Sequence, residues 1–278
     1  MSRISECFAK LRGEGRRAVV PYIVAGDPTG VDTVDLMCSL ADAGADVIEL
    51  GVPFSDPMSE GPVIQRAHER ALDAGIRLRD VLEMVAKFRE RDQMTPVLLM
   101  GYANPVVRMG YADFADRAAA AGVDALLTVD IPPEEVAQLN GELKRVGMDN
   151  IFLIAPTTPI ARMSRIAHEA SGFIYYVSLK GVTGAGNLDQ ASVASQVEEI
   201  RRHSDLPLCV GFGIKDGASA ATVGAVADGV VIGSALVQRL ADAAAGSQSD
   251  RSDAVFDAAR ALIGEIRSSL DTLEPKSA

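Results

Sequence analysis

Eight short apolar runs constrain what this chain can fold into more than any other feature of its sequence. Runs of this length that are rich in Val, Ile, Leu and aromatic residues, and that end at turn-forming or charged residues, are typical of buried β-strands. The runs are AVVPYIV (18–24), DVIEL (46–50), PVLLMGY (96–102), DALLTV (124–129), NIFLIA (150–155), FIYYVS (173–178), PLCVGFG (207–213) and GVVIGS (229–234). We therefore predict eight strands.

Helical periodicity fills the gaps between these runs. Val81, Met84 and Phe88, for example, follow the i, i+3, i+7 spacing of an amphipathic helix. Strands that are buried on both faces and alternate with such helices form parallel sheets. Eight units in 278 residues predict a (β/α)8 TIM barrel, an α/β fold, as a single domain over residues 1–278 with an extra N-terminal helix. The alternative is an open doubly wound sheet, but AGDPTG (25–30) lacks the glycine-rich fingerprint of that fold.

The charge of the chain disfavours two classes of partner. Its formal net charge is -11 and its isoelectric point is about 4.8, whereas nucleic acids and anionic membranes are bound through basic surfaces. No apolar run approaches the length of a transmembrane helix. Charged residues interrupt the apolar positions near the start of the sequence, so no secretory signal is predicted there. We expect a cytoplasmic protein that binds neither nucleic acid nor membrane.

The cysteines and histidines do not indicate a metal centre. Cys7, Cys38 and Cys209 lie far apart in the sequence and match no metal-binding spacing. They are typical of packed thiols in a reducing compartment. The three histidines are equally scattered, each in polar helical surroundings. We therefore expect no metal site.

Glu49 is the first candidate for a reacting group. In such barrels the reacting groups lie at the carboxyl ends of the strands and on the loops that follow, and the longest gap follows the second strand, in ELGVPFSDPMSEG (49–61). Strand alternation places Glu49 on the same side as Val47, where poor solvation raises a carboxyl pKa toward the range that suits proton transfer. The alternative is a strand-end acid that pairs with a neighbouring helix. Glu60 lies on the same loop, but taken alone this acid is better explained by the dipole of the helix that begins after it.

Glycine-rich segments follow the last three predicted strands. SLKGVTGAGN (178–187) is typical either of a mobile lid or of a nest of backbone N–H groups that holds an anion. The last two strands lead directly into helix-forming sequence, and barrels commonly bind phosphate where these two loops meet a helix N-terminus. Gly211, Gly213, Gly233 and Ser234 suit that role, although tight turns explain them as well.

Longer stretches of the sequence resemble the tryptophan synthase alpha chain family, from Cys7 to the last helix. They are GDP (26–28), ELGVPFSDP (49–57), GPVIQRA (61–67), GYANP (101–105), Asp130 with the IPPEE that follows it, GVTGA (181–185), GFGI (211–214) and IGSA (232–235). The resemblance implies a lyase of tryptophan and aromatic amino-acid biosynthesis, which cleaves indole-3-glycerol phosphate to indole and glyceraldehyde 3-phosphate in a retro-aldol reaction. It also implies a β-subunit partner that carries pyridoxal phosphate and receives the indole in an α2β2 heterotetramer. This chain itself is expected to hold no cofactor.

The resemblance also implies the roles of individual residues. Glu49 is expected to be the general acid and base, and Glu60 is expected to accept a hydrogen bond from the indole N–H. The family pattern has aspartate where this chain has Glu60, which adds one methylene and about 1.5 Å of reach. Tyr175 is expected to line the site, and Thr183 to hydrogen-bond Glu60 when the lid closes.

Three further sets of residues follow from the same resemblance. The apolar slot for indole is expected to be lined by Tyr22, Met100, Leu127, Val129, Leu153 and Phe212. The phosphate is expected to be held by Gly184, Gly213, Gly233 and Ser234. Coupling to the partner subunit is expected at Pro53, Asp56 and Pro57.

Two other functions stay open on the sequence. One is a different aldolase chemistry in a phosphosugar barrel, with a Schiff base at Lys180 near the end of the sixth strand, which borohydride trapping would reveal. The other is a non-catalytic barrel that binds a phosphosugar or activates a partner. An inert binder has no need of an inward acid, so Glu49→Gln would leave its ligand affinity intact.

Overall fold

The computed structural model describes residues 2–177, 190–211, 213–246 and 250–275. In these residues the strands are β1 (Ala18–Val24), β2 (Ile48–Gly51), β3 (Val97–Gly101), β4 (Ala125–Thr128), β5 (Asp149–Asn150), β6 (Phe152–Ile154), β7 (Ile174–Val177), β8 (Leu208–Gly211) and β9 (Gly229–Ile232). The helices are α1 (Arg3–Gly13), α2 (Thr33–Asp42), α3 (Pro62–Asp73), α4 (Leu78–Arg91), α5 (Ala103–Met109), α6 (Tyr111–Ala121), α7 (Ala137–Val146), α8 (Ile160–Glu169), α9 (Gln190–Arg201), α10 (Gly217–Gly224), α11 (Ser234–Ala244) and α12 (Arg251–Asp271).

All paired strands are parallel, and the sheet closes into a ring at Ile151. The strand order is β5-β4-β3-β2-β1-β9-β8-β7-β6. β5 pairs with β4 and β6 pairs with β7, and only Ile151 separates β5 from β6. The N–H of Ile151 donates to the carbonyl oxygen of Leu126 at 2.9 Å, so β5 and β6 act as one broken strand. The predicted eight-stranded (β/α)8 barrel is confirmed, with its fifth strand in two pieces.

Strand alternation separates two apolar layers. Inward positions such as Val20, Val47 and Leu98 fill the barrel, whereas outward positions such as Val19 and Ile48 pack under the helices. The inner layer is buried inside the barrel, and the outer layer is buried under the helices. Each strand is therefore apolar on both faces, which explains why the strands are continuous apolar runs in the sequence.

The predicted N-terminal helix, α1, is also confirmed, and it closes the amino end of the barrel. Its buried residues Ile4, Phe8 and Leu11 join the interior layer. The ring of Phe8 lies 5.6 Å from that of Phe173, which directly precedes β7. The carboxyl end is therefore the open end.

Two predicted strand ends were placed too late. β8 ends at Gly211 rather than at residue 213, because Gly213 has φ +77° and so leaves the extended conformation. β9 ends at Ile232 rather than at Ser234, because Ser234 is already the first residue of α11. The connection predicted over 243–254 is also shorter, since α11 runs to Ala244 and α12 begins at Arg251.

The long gap after β2 holds one helix more than the βα repeat requires. α4 packs between α2 and α6 in the outer ring, as the repeat predicts. The extra helix, α3, instead packs against β1 and α11. Its residues Ala67 and Ala71 are buried against Tyr22 and Val24, so α3 covers the barrel wall near the carboxyl end of β1. None of the described helices has the length and apolarity needed to cross a membrane.

Candidate active site

Glu49 is a fully buried carboxylic acid at the carboxyl end of β2. It lies beside Tyr22 of β1 and Leu98 of β3 in the sheet register. Neither of its carboxyl oxygens has a hydrogen-bond partner among the described residues. Burial, and to a lesser degree the charge of Glu60, raises its pKa from 4.5 to about 8. A buried polar group without a partner is costly, so its presence indicates a ligand or a chemical role.

Glu60 lies on the loop between β2 and α3 and is half-buried. The Tyr102 hydroxyl donates to Glu60 Oε2 in a short hydrogen bond, and the same hydroxyl accepts from the N–H of Ser59 at 3.1 Å. The ring of Phe54 stacks on Tyr102 with centroids 4.8 Å apart. Burial raises the pKa of Glu60, and the Tyr102 hydrogen bond opposes that rise. Tyr102 therefore fixes where the second carboxylate lies.

The described residues of the expected indole slot occupy inward positions or pack beside them. Met100 pairs in register with Leu127, and Leu153 pairs with Tyr175, so each pair lies side by side on neighbouring strands. Met100, Leu127, Val129, Leu153 and Tyr175 pack with the interior apolar cluster, and Tyr22 packs with Met100. The slot is thus walled by apolar side chains and by the two tyrosine rings. Phe212 lies outside the described residues.

Two glycines make room for the two tyrosines. A methyl group on Gly51 would collide with the hydroxyl of Tyr22, and one on Gly211 would collide with the hydroxyl of Tyr175. Each tyrosine therefore lies against the bare backbone of the neighbouring strand. The sequence did not predict this role for Gly51, because Tyr22 lies on another strand and only the folded sheet brings the two residues together.

The expected phosphate residues lie at the start of α11 and before α10. Gly233 is the N-cap of α11 without a side-chain cap, and Ser234 follows as an exposed first residue. A side chain on Gly233 would meet no atom closer than 3.7 Å, so the space above its backbone is open. Uncapped N–H groups at a helix N-terminus are suited to an anion. Gly213 has a positive φ and lies near the start of the loop between β8 and α10. Gly184, Thr183 and Lys180 lie outside the described residues.

Of the residues expected to couple this chain to a partner, Pro53 lines an open groove, and Asp56 and Pro57 lie on the same loop. Pro53 is buried, Pro57 is half-buried and Asp56 is exposed, with its carboxylate accepting from Ser55 Oγ at 2.6 Å. Met58 is 81% exposed, which is unusual for a large apolar side chain. A groove of about 760 Å³ begins at this loop, and its lining includes Pro53, Phe54, Ser55, Asn104, Pro105 and Arg108.

Sequence reasoning did not single out His68 or Tyr102. It placed all three histidines in polar helical surroundings, but His68 is 1% exposed and hydrogen-bonds two residues outside its own helix. Tyr102 entered only as a letter of the GYANP motif. The one available signal for His68 was its position on an inserted helix directly after the acid-bearing loop. No group of three or more His, Cys, Asp or Glu residues in the described part of the chain is arranged to hold a metal ion.

Comparison with known proteins places this arrangement in a family. A family model described as "Tryptophan synthase alpha chain" matches residues 8–262. A protein of that description from Leptothrix cholodnii is 54% identical over 274 residues, which are 99% of this chain and 98% of the relative. One from Thioalkalivibrio sulfidiphilus is 60% identical over 242 residues, 87% of this chain and 91% of the relative.

Solved structures agree with these sequence comparisons. Tryptophan synthase subunit alpha from Legionella pneumophila is similar with a TM-score of 0.90 and 44% identity, over 98% of this chain and all of that one (100%). A chain of tryptophan synthase from M. tuberculosis, in an aminoacrylate-bound form, has a TM-score of 0.84 and 35% identity, over 97% of this chain and 100% of that one.

Proposed function

The chain belongs to the tryptophan synthase alpha chain family, and on that premise we propose how the open end of its barrel performs the family's reaction. It is a lyase of tryptophan biosynthesis, which cleaves indole-3-glycerol phosphate to indole and glyceraldehyde 3-phosphate. The observation that carries the assignment of the site is Glu49, a fully buried acid without a hydrogen-bond partner among the described residues, beside a second carboxylate at Glu60.

Glu49 is the proposed general acid and base. Cleavage of the bond between indole C3 and the glycerol chain requires a proton at C3 and the loss of a proton from the hydroxyl of the attached carbon. With a pKa raised to about 8, Glu49 is protonated at neutral pH and has a proton to donate to C3. The carboxylate that results then takes the hydroxyl proton as the carbonyl of glyceraldehyde 3-phosphate forms, which returns Glu49 to its starting state.

Glu60 is the proposed partner of the indole N–H. Protonation at C3 places positive charge on the ring nitrogen, and a carboxylate that accepts the N–H hydrogen bond stabilises that charge. The Tyr102 hydroxyl holds Glu60 in place through its hydrogen bond. A glutamate has more rotatable bonds than the aspartate of the family pattern. It therefore needs a hydrogen bond of this kind to hold its carboxylate in one position.

The substrate is proposed to lie between the apolar slot and the N-terminus of α11. The indole ring would contact Tyr22, Met100, Leu127, Val129, Leu153, Tyr175 and Phe212. The phosphate would be held by backbone N–H groups of Gly213, Gly233, Ser234 and Gly184, where helix and loop dipoles offset the acidic character of the chain. Thr183 is proposed to contact Glu60 from the lid.

The proposed partner is a β subunit that carries pyridoxal phosphate, in an α2β2 complex in the cytoplasm. Family membership implies that subunit, and the stoichiometry, the cofactor and the cytoplasmic location are proposals. Pro53, Asp56 and Pro57 lie on the loop that also carries Glu60, so contact with a partner there would act on the second carboxylate directly. The exposed Met58 and the adjoining groove support this choice of surface.

The test of the site is Glu49→Gln, compared with Glu83→Gln, which removes an exposed acid on α4. We expect Glu49→Gln to lower kcat by about 10²- to 10⁴-fold, and the control to match the wild type. Inhibition by glyceraldehyde 3-phosphate should survive in both variants, since the phosphate site is separate. Turnover by Glu49→Gln within tenfold of the wild type would exclude the proposed role of Glu49.

A further inference from the structure

His68 is a buried polar side chain for which the proposed reaction has no use. It lies on α3, and its imidazole contacts two other segments of the chain. Nδ1 accepts the backbone N–H of Phe54 at 3.1 Å, and Nε2 lies 3.2 Å from the hydroxyl oxygen of Tyr22. Phe54 belongs to the loop that carries Glu60, and Tyr22 belongs to the wall of the proposed indole slot. A single ring therefore joins three parts of the site.

The hydrogen-bond chemistry fixes the tautomer of His68. A backbone N–H is only a donor, so Nδ1 must offer its lone pair to Phe54. In a neutral imidazole the proton is then on Nε2, and Nε2–H donates to the oxygen of Tyr22. The two groups that hydrogen-bond the ring are uncharged, and Arg70, two residues further along the same helix, pairs with Asp27.

The tautomer of His68 determines whether the Tyr22 hydroxyl proton is available for another hydrogen bond. Since its oxygen accepts from His68, its own proton must point elsewhere, and the hydrogen bonds of the described residues include no acceptor for it. The phenol oxygen lies against the bare backbone of Gly51 on β2. Tyr22 lies beside Glu49 in the sheet register. Its O–H is thus a donor without an acceptor among the described residues, on the strand beside Glu49.

We propose that His68 is a positioning residue for the cleavage reaction, which holds the Tyr22 hydroxyl as a hydrogen-bond donor toward the substrate and anchors the loop that carries Glu60. The inference rests on the proposed function, because it assumes that the slot beside Glu49 binds indole-3-glycerol phosphate. Burial supports it by lowering the pKa of His68 to about 4, so the ring keeps its donor and acceptor roles at physiological pH.

Three variants separate the two hydrogen bonds. His68→Asn keeps an amide near the position of Nδ1 and so keeps the contact with Phe54, but it is too short to reach Tyr22. Tyr22→Phe removes the hydroxyl from the other side, and the double variant removes both. Glu69→Gln, an exposed neighbour on the same helix, is the matched control.

We expect His68→Asn and Tyr22→Phe to weaken substrate binding through loss of the same contact. Each single variant should raise KM for indole-3-glycerol phosphate by about three- to tenfold with kcat changed less, because a slot contact is lost while Glu49 and Glu60 stay in place. The double variant should be no worse than the worse single, and the control should match the wild type. Multiplied effects in the double variant, or unchanged KM in both singles, would overturn the proposal.

A spectroscopic readout that does not depend on turnover completes the test. In ¹⁵N NMR of the whole protein, the His68 ring should show one protonated nitrogen, Nε2, and one unprotonated nitrogen, Nδ1, from about pH 5.5 to about pH 8.5. Titration within that range, or a proton on Nδ1, would refute the assigned geometry. Failure of the wild type to cleave the substrate would instead count against the proposed function, with the NMR result unaffected.

Discussion

The Glu49 side chain owes its raised pKa to its burial inside the barrel. The residue is the second of the four in β2, it points into the barrel, and no described group hydrogen-bonds its carboxyl oxygens. Water solvates the same group in the unfolded chain. The difference between these two environments, rather than a single neighbouring charge, is the main cause of its raised pKa.

The raised pKa predicts how the reaction depends on pH. Glu49 starts the proposed cycle as the protonated acid, so kcat/KM should hold up to about pH 8 and then fall by about tenfold per pH unit as the free enzyme loses that proton. The measurement is kcat/KM for indole-3-glycerol phosphate across this range. A rise through pH 8 would mean that the carboxylate form starts the reaction.

The same shift predicts a pH-dependent cost in stability. Between pH 4.5 and about 8 the unfolded chain has released the Glu49 proton while the folded protein still holds it, so stability falls as the pH rises through this window. Glu49→Gln removes that dependence. Its gain in the free energy of unfolding over the wild type should be larger near pH 9 than near pH 5, by a few kcal/mol. Urea denaturation at the two pH values measures it, and an equal gain at both would contradict the assigned environment.

Tyr102 is expected to matter only because position 60 is a glutamate. Tyr102→Phe keeps the stack on Phe54 but removes the donor to Glu60, so kcat should fall about tenfold. In a Glu60→Asp background the shorter carboxylate should not reach the hydroxyl, and the same substitution should change kcat little. Equal losses in both backgrounds would show that Tyr102 acts on something other than the carboxylate.

At the scale of elements, α3 connects the acid-bearing loop to the barrel. Arg70 forms a two-point ion pair with the buried Asp27 on the loop after β1, at 2.6 and 3.0 Å. His68 joins the same helix to β1 and to Phe54. The helix has no side-chain N-cap, so these tertiary contacts rather than capping hold its position.

The Asp27–Arg70 pair yields a stability prediction for this helix. Arg70→Leu leaves a buried carboxylate without its partner, which should cost about 1–3 kcal/mol given that the arginine is partly exposed. Adding Asp27→Asn should recover part of the loss, because no charge then stays buried. Urea unfolding of the two variants measures both effects. A double variant as unstable as the single would show that the charge on Asp27 is not the cause.

The sequence predicts elements of this fold better than it predicts their contacts. Apolar runs and helical periodicity are local, so the strands, the N-terminal helix and the inward side of Glu49 could be predicted. The break at Ile151 and the docking of α3 could not, because they depend on pairing between distant strands and helices. His68 and Tyr102 were missed for the same reason, since their partners are 46 and 42 residues away in sequence.

The whole barrel divides into a stabilising end and a reactive end. Three aspartates directly before or near strand starts, Asp46, Asp124 and Asp228, each accept a backbone N–H of a neighbouring strand at 2.8 Å. Each also pairs with an arginine from a helix. These hydrogen bonds and ion pairs, together with the packing of α1, stabilise the amino end of the barrel. Among the described residues, the unpartnered carboxyl oxygens of Glu49 and the uncapped N-terminus of α11 lie at the carboxyl end.

This division predicts that stability and catalysis can be changed separately. Phe8→Ala removes a buried ring that packs on Phe173, so it should cost about 3–5 kcal/mol in the free energy of unfolding. Lys10→Ala, at an exposed position of the same helix, should stay within about 0.5 kcal/mol of the wild type. Below the unfolding temperature, kcat and KM of both variants should match the wild type, because α1 lies at the amino end of the barrel, opposite the proposed site. A raised KM in Phe8→Ala alone would mean that a change in the packing of α1 also shifts the side chains of the indole slot. The two are connected, because both belong to one continuous apolar cluster in the barrel interior.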